Sequence, residues 1–142
     1  MATALIDSNV LIGARIATDQ HHETGHAIAT GIDGGSLPTG RIPDDVLSEV
    51  LNYLHTRAGN EVAVETLDAI QASVDFEVDG TTKTDFDAGR SLFRQYDGLS
   101  FTDAVIAAYM RRTGIDYLYS FDDDFDAVDG ITRLDTVTNP FV

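Results

Sequence analysis

The sequence predicts an α/β fold, a three-layer α/β/α sandwich around a central parallel sheet, in one domain spanning residues 1–142. Three observations carry this. Short apolar segments alternate with stretches of helical periodicity, the pattern of parallel strands covered on both faces. No repeat, linker or low-complexity tract divides the chain. Its 142 residues suit one domain, which at this size buries roughly 70% of its unfolded surface.

The elements follow in order. Thr3 to Ile6 is a short apolar strand that stops at Asp7. Ser8 to Ala17 places Val10, Leu11 and Ala14 at helical spacing, and His22 to Thr30 suggests a second helix that Gly31, Gly34 and Gly35 end. Thr39 to Ile42 is a brief strand. Pro43-Asp44-Asp45 then opens a helix with Val46, Leu47, Val50, Leu51 and Leu54 as its stripe. Gly59 and Asn60 break it, and Glu61 to Ala72 is helical again. Val74 to Val78 alternates like a strand. Thr84 to Tyr96 and the strongly apolar Phe101 to Arg112 are helices. Tyr117 to Ser120 and Ile131 to Leu134 are the last strands. In such sheets ligands bind beyond the carboxyl ends of the strands, so the residues that follow strands matter most.

Composition narrows the chemistry. Cys is absent, which excludes disulfides and thiolate metal sites. No apolar run approaches the ~20 residues of a membrane helix, and the first residues read as a buried strand, not as a signal peptide. A cytoplasmic protein with no membrane partner is expected. The formal net charge is −15, and 24 acidic residues face 9 Lys and Arg. Such self-repulsion weakens a compact state in dilute buffer and is screened at molar salt, where the Debye length is about 3 Å. Excess Asp with a single Lys (Lys83) fits a salt-rich, halophilic cytoplasm. The acidity therefore counts less against a nucleic-acid partner than it otherwise would.

Four acidic residues occupy informative places. Asp7 follows the first strand and Asp122 follows the strand at Tyr117. Asp103 lies in the first turn of the apolar helix, and Glu49 lies in the helix after Ile42. Each also has an ordinary structural account: Asp7 as a helix cap, Glu49 as a solvated flank, Asp103 as part of a capping box with Ser100, Asp122 as one charge in the acidic run 122–126. If they converge, two carboxylates about 4 Å apart repel by roughly 4 kcal/mol at an effective dielectric of 20. Either one takes a proton, or a divalent ion neutralises the group. Oxygen-only ligands suit Mg²⁺ or Mn²⁺, and such a site can activate water for phosphoryl displacement.

These segments resemble the motifs of the PIN-domain family, especially its VapC-type toxins. Leu5-Ile6-Asp7-Ser8-Asn9-Val10-Leu11-Ile12 is similar to the first motif, Leu47-Ser48-Glu49-Val50 to the second, and Leu99-Ser100-Phe101-Thr102-Asp103-Ala104-Val105-Ile106-Ala107-Ala108 to the third. Tyr119-Ser120-Phe121-Asp122-Asp123-Asp124-Phe125 is similar to the last, with Ser120 in the place of the common Thr. The resemblance implies a PIN-like fold and a metal-dependent endoribonuclease, the toxin of a type II toxin–antitoxin pair, that hydrolyses RNA phosphodiesters with metal-activated water. It implies Asp7 and Asp103 as direct ligands of Mg²⁺ or Mn²⁺, Glu49 and Asp122 completing the site, and Asp124 as an extra ligand. Asn9, Ser100, Thr102 and Ser120 would be supporting residues. RNA, a cognate antitoxin and a second copy in a homodimer are the implied partners. A catalytically idle PIN-like module that binds RNA or protein is the alternative.

Other motifs compete weakly. His22-Glu23-Thr24-Gly25-His26 matches the HExxH zinc pattern, yet Thr and Gly stand where that family prefers a well-formed, mostly apolar helix, no His follows except His55, and only Glu49 offers a distant third ligand. Asp122, Asp124 and Asp126 imitate a calcium loop, but Ala127 replaces its Gly and Arg133 its bidentate Glu. No Gly-rich phosphate loop with Lys is present, and Lys83 comes too early for a receiver domain. Arg111-Arg112 is read as a solvated helix end more readily than as an RNA contact.

Overall fold

The computed structural model describes residues 2–142. The chain runs β1 (Thr3–Ile6), α1 (Ser8–Arg15), α2 (His22–Asp33), β2 (Thr39–Pro43), α3 (Asp44–Arg57), α4 (Asn60–Ala72) and β3 (Phe76–Asp79). It continues through α5 (Lys83–Gln95), α6 (Phe101–Thr113), β4 (Tyr117–Tyr119), a 3₁₀ turn (Asp123–Ala127) and β5 (Thr132–Leu134). All strand pairs are parallel, in the order β3-β2-β1-β4-β5. The chain steps outward from β1 to β2 to β3, then crosses back to the other side of β1. β1 and β4 therefore flank the point where the winding reverses, the place where open parallel sheets form a ligand crevice.

Adjacent strand residues point to opposite faces, and the helices cover both. A Cβ on Gly40 would meet Ile6 and Ile32 of α2, whereas the guanidinium of the next residue, Arg41, donates to the Tyr109 hydroxyl of α6 at 3.0 Å. α2 therefore lies on one face and α6 on the other, as right-handed crossovers that reverse direction require. The central strands explain why the sheet stays dry. Ala4, Leu5, Ile6, Leu118 and Tyr119 are fully buried, and Ala104 to Met110 of α6 are buried with them.

Most boundaries match the expected ones within two residues. α2 runs on through Gly31 to Asp33. That glycine serves packing and not termination, since a Cβ on it would lie 2.8 Å from the Leu37 side chain. The strand expected from Val74 begins at Phe76, and Val74 is 90% exposed.

Two further expectations change. Arg112 at the end of α6 is not a free solvated end. Its Nε and Nη2 donate to both oxygens of Asp85 at 2.7 and 3.0 Å. Asp85 is 1% exposed and completes a capping box with Thr82 at the start of α5. This pair ties α5 to α6. Arg111 donates to the Asp129 carbonyl.

The HExxH segment is also structural. Gly25 sits where α1 and α2 cross, and a Cβ there would be 2.8 Å from the Val10 carbonyl oxygen and 3.0 Å from the Ala14 nitrogen. Both are backbone atoms that cannot swing aside. Gly25→Ala should therefore destabilise the fold by about 1–3 kcal/mol through overpacking. This outweighs the ~1 kcal/mol that Ala gains in helix propensity. Chemical denaturation of the two proteins measures it.

Candidate active site

Asp7 is placed by two conflicting demands. It ends the buried strand β1 and caps α1, accepting from the Ser8 amide at 2.8 Å. The capping role foreseen for it is real. The same residue is 4% exposed, and its other oxygen accepts from the Ser120 hydroxyl at 2.7 Å and from Asn9 Nδ2 at 3.3 Å. Burial pushes the Asp7 carboxyl up. The Ser120 and Ser8 hydrogen bonds counter this, and the charges of Glu49 and Asp122 add to the rise.

Ser120, fully buried after β4, is the hub. Its hydroxyl gives its proton to Asp7 and accepts from the Asp122 amide at 3.0 Å. Asn9 spans the same gap, because its Oδ1 accepts from the Phe121 amide at 3.2 Å. The register pairing Ile6 with Tyr119 is what brings Asp7 and Ser120 side by side. Asp122 is thereby held by its own backbone at the mouth of the crevice.

Asp103 arrives from the start of α6. Its amide donates to the Ser100 hydroxyl at 3.1 Å, but the Ser100 amide does not donate in return to the Asp103 carboxylate. Half of the expected capping box is present, and the carboxylate is left to face the site. Burial, then the charges of Asp7 and Asp122, push it up to about 7, while the Ser100 hydroxyl acts in the opposite direction. Glu49 is exposed on α3 and close enough for its charge to act on Asp7.

The structure therefore brings Glu49, Asp103 and Asp122, each from a separate segment, within electrostatic reach of Asp7, and Asp122 within reach of Asp103; among the described residues their ligand oxygens do not form a group lying mutually within 4.8 Å. Among the described residues no Lys or Arg pairs with any of the four. Thr102 stands exposed beside Glu49, with no hydrogen bond to these acids. The Asp124 amide donates to Asp122 at 2.9 Å, and the Asp122 charge raises the Asp124 carboxyl. Oxygens of Asp122, Asp123 and Asp124 approach within 4.8 Å of one another. Asp126 is taken by Arg133, which donates to both its oxygens at 2.8 and 3.0 Å, so it is not free for a calcium loop.

His22 Nδ1 donates to the Gly13 carbonyl at 2.8 Å. Among the described residues no third metal-ligating side chain joins His22 and His26. The donor set is oxygen-only, negative and uncompensated, which fits a hard divalent cation such as Mg²⁺ or Mn²⁺.

A parallel sheet with acidic side chains at its winding reversal defines a class of metal-capable α/β proteins, and the comparisons narrow the class. The model of the PIN domain matches residues 4–131. The chain belongs to the PIN-domain family. No curated protein matches it.

Among solved structures it is similar to VapC20 of Mycobacterium tuberculosis, a sarcin–ricin loop cleaving toxin. The identity is 27%, the TM-score 0.74, and the match covers 87% of this chain and 93% of that one. VapBC2 from Rickettsia felis, bound to a DNA fragment from its promoter, matches with TM-score 0.70 at 13% identity, over 93% of this chain and 97% of that one. PAE2754 from Pyrobaculum aerophilum matches with TM-score 0.65 at 17% identity, over 93% and 89%. The last two likenesses speak to the fold alone. Among the described residues no helix is long and apolar enough to cross a membrane.

Proposed function

We propose that this PIN-domain protein is a metal-dependent endoribonuclease and the toxin of a toxin–antitoxin pair, with Asp7, Glu49, Asp103 and Asp122 as its catalytic carboxylates. One observation supports this above the rest: the four acids of the motifs lie at the sheet's winding reversal, and among the described residues no Lys or Arg pairs with any of them. Likeness to a toxin that cleaves the sarcin–ricin loop supports RNA as substrate, and likeness to toxin–antitoxin complexes supports an antitoxin partner. A homodimer is part of the same reading.

Asp7 and Asp103 are the ligands most buried in the crevice. Glu49 and Asp122 complete the ring, with Asp124 available at its edge. A bound Mg²⁺ or Mn²⁺ supplies positive charge against the charge that develops on the phosphodiester and makes water a better nucleophile. The chain's own part is positional. Ser120 and Asn9 fix the Asp7 carboxylate, and Ser100 fixes the start of α6 and hence Asp103.

Cleavage of a labelled RNA at high salt, with Mg²⁺ or Mn²⁺ and again with EDTA, tests the reading. Cleavage that persists undiminished in EDTA would refute the metal requirement. Ser120→Ala should weaken divalent-ion affinity about 10–100-fold, since it removes the hydroxyl that orients a buried ligand. Calorimetric titration with Mn²⁺ measures this directly.

A further inference from the structure

Beside the carboxylates lies a hollow of about 370 Å³, lined in part by Asn9, His21, Glu49, Tyr53 and Phe121. Three of these side chains are aromatic. His21 stacks on Phe121 with ring centroids 4.2 Å apart and planes 15° from parallel. Both rings are held through their backbones: the His21 amide donates to Asp19 at 2.8 Å and the Phe121 amide to Asn9 at 3.2 Å. Tyr53 stands on α3, is 36% exposed, and belongs also to the next hollow along the surface, with Arg57.

Glu49, Tyr53 and Arg57 are spaced by four residues on one helix. They form a single stripe in steps of about 6 Å. Arg57 has no carboxylate partner among the described residues, and its guanidinium lies over the Tyr53 ring at 5.3 Å from the centroid. Arg15, Arg41, Arg90, Arg112 and Arg133 are ion-paired; Arg94 and Arg111 also lack a carboxylate partner among the described residues, but of these three arginines only Arg57 lines a hollow that shares Tyr53 with the one beside the carboxylates. An aromatic-walled hollow continuous with a carboxylate site, followed by an unpaired cation, repeats the order phosphate, base, phosphate along a single strand.

From this juxtaposition we infer that the hollow bounded by the His21–Phe121 stack and Tyr53 seats an unpaired nucleobase beside the scissile phosphodiester, and that Arg57 takes the next backbone phosphate. The inference rests on the nuclease reading and adds a substrate-positioning surface to it. A stacking seat of this kind takes single-stranded or flipped-out nucleotides, because every base has a face to offer. Gln20, which also lines the hollow, offers an amide that can discriminate among bases.

The test uses a fluorescein-labelled single-stranded RNA of mixed sequence with wild type, Tyr53→Ala, Tyr53→Phe and Arg57→Gln. Cleavage kinetics, binding anisotropy across a salt series and Mn²⁺ calorimetry are measured for each. Tyr53→Ala should weaken RNA binding and raise KM by roughly tenfold or more, the worth of one stacked base. Its kcat and Mn²⁺ affinity should be close to wild type, and Tyr53→Phe should restore binding. Arg57→Gln should lower the slope of log K against log salt by about 0.7, one phosphate's share for a single strand. Wild-type KM and salt slope in both Tyr53→Ala and Arg57→Gln would overturn the subsite. So would variants that lose only a protein partner while RNA binding is intact. A wild-type protein that cleaves no RNA with either ion would refute the nuclease reading instead. The anisotropy arm would still decide the subsite.

Discussion

Asp103→Asn should abolish RNA cleavage and, in the same protein, raise the thermal stability of the metal-free form at neutral pH. The two effects have one cause. Asp103 is pushed up to about 7 because burial and the charges of Asp7 and Asp122 oppose its ionisation. Above that pH the folded state carries a carboxylate that it disfavours. Asparagine keeps the shape and removes the charge, so the repulsion goes with it. The capping bond survives, because it runs from the residue 103 amide to Ser100 and not through the side chain. Cleavage should fall by at least about a hundredfold, since mutations of residues that merely support metal ligands already cost 10–100-fold. Asp7→Asn should match it in activity but not in stability. The Asp7 oxygens accept from Ser8, Ser120 and Asn9 at once, and an amide nitrogen in place of one of them would face Asn9 Nδ2, donor against donor. Activity assays and melting curves in EDTA at pH 8 separate the variants. An Asp103→Asn protein that cleaves normally would remove this residue from the proposed site.

Local pattern made much of the molecule readable. β1, β4 and α6 show as apolar segments because they are buried on all sides, and the stripe of α3 shows because one face meets the core. Elements with a weaker burial signal drifted. β3 is an edge strand whose residues are half-buried or exposed, so its start was not fixed by hydrophobicity. The four acids were legible through the family motifs, each of which is short and local. What joins them is not local. The Ser120–Asp7 bond links positions 113 residues apart, and the Asp85–Arg112 pair depends on how α5 packs against α6. The hollow of His21, Tyr53 and Phe121 draws on three segments, and only Phe121 falls within a family motif, where the motif points to Asp122 and not to the ring. Its nearest signal in the sequence was the spacing of Glu49, Tyr53 and Arg57 by four, which also fits an ordinary solvated helix flank. The HExxH match shows the converse: a pattern legible in sequence whose glycine exists for helix packing.

The metal-free protein should lose stability as pH rises from about 4 to about 7, and a saturating divalent ion should cancel the loss. Asp103 and Asp7 both have carboxyls raised above their ordinary 3.8. Between that value and the raised one the folded chain holds protons that the unfolded chain has released. The folded state therefore binds more protons, and stability must fall with rising pH across this window. Asp85 and Asp126 work in the opposite sense. Arg112 and Arg133 hold them below the usual carboxylate range, so their contribution is present above about pH 4 and disappears only as the acid form is reached below it. The metal-free protein should consequently be most stable in mildly acidic buffer, bounded by ion pairs on one side and by the crowded crevice on the other. A dication that binds the folded state at a hundred times its Kd adds about 2.7 kcal/mol. It does so most effectively where the acids are already ionised, so its affinity should climb through pH 6–7 and its binding should release protons. Melting temperatures from pH 4 to 8 in EDTA and in Mn²⁺, with calorimetry in two buffers of different ionisation enthalpy, measure both halves. A melting curve in EDTA that is flat across this range, and unaltered by Asp103→Asn, would mean that the crevice carboxylates do not repel one another and need no cation to coexist.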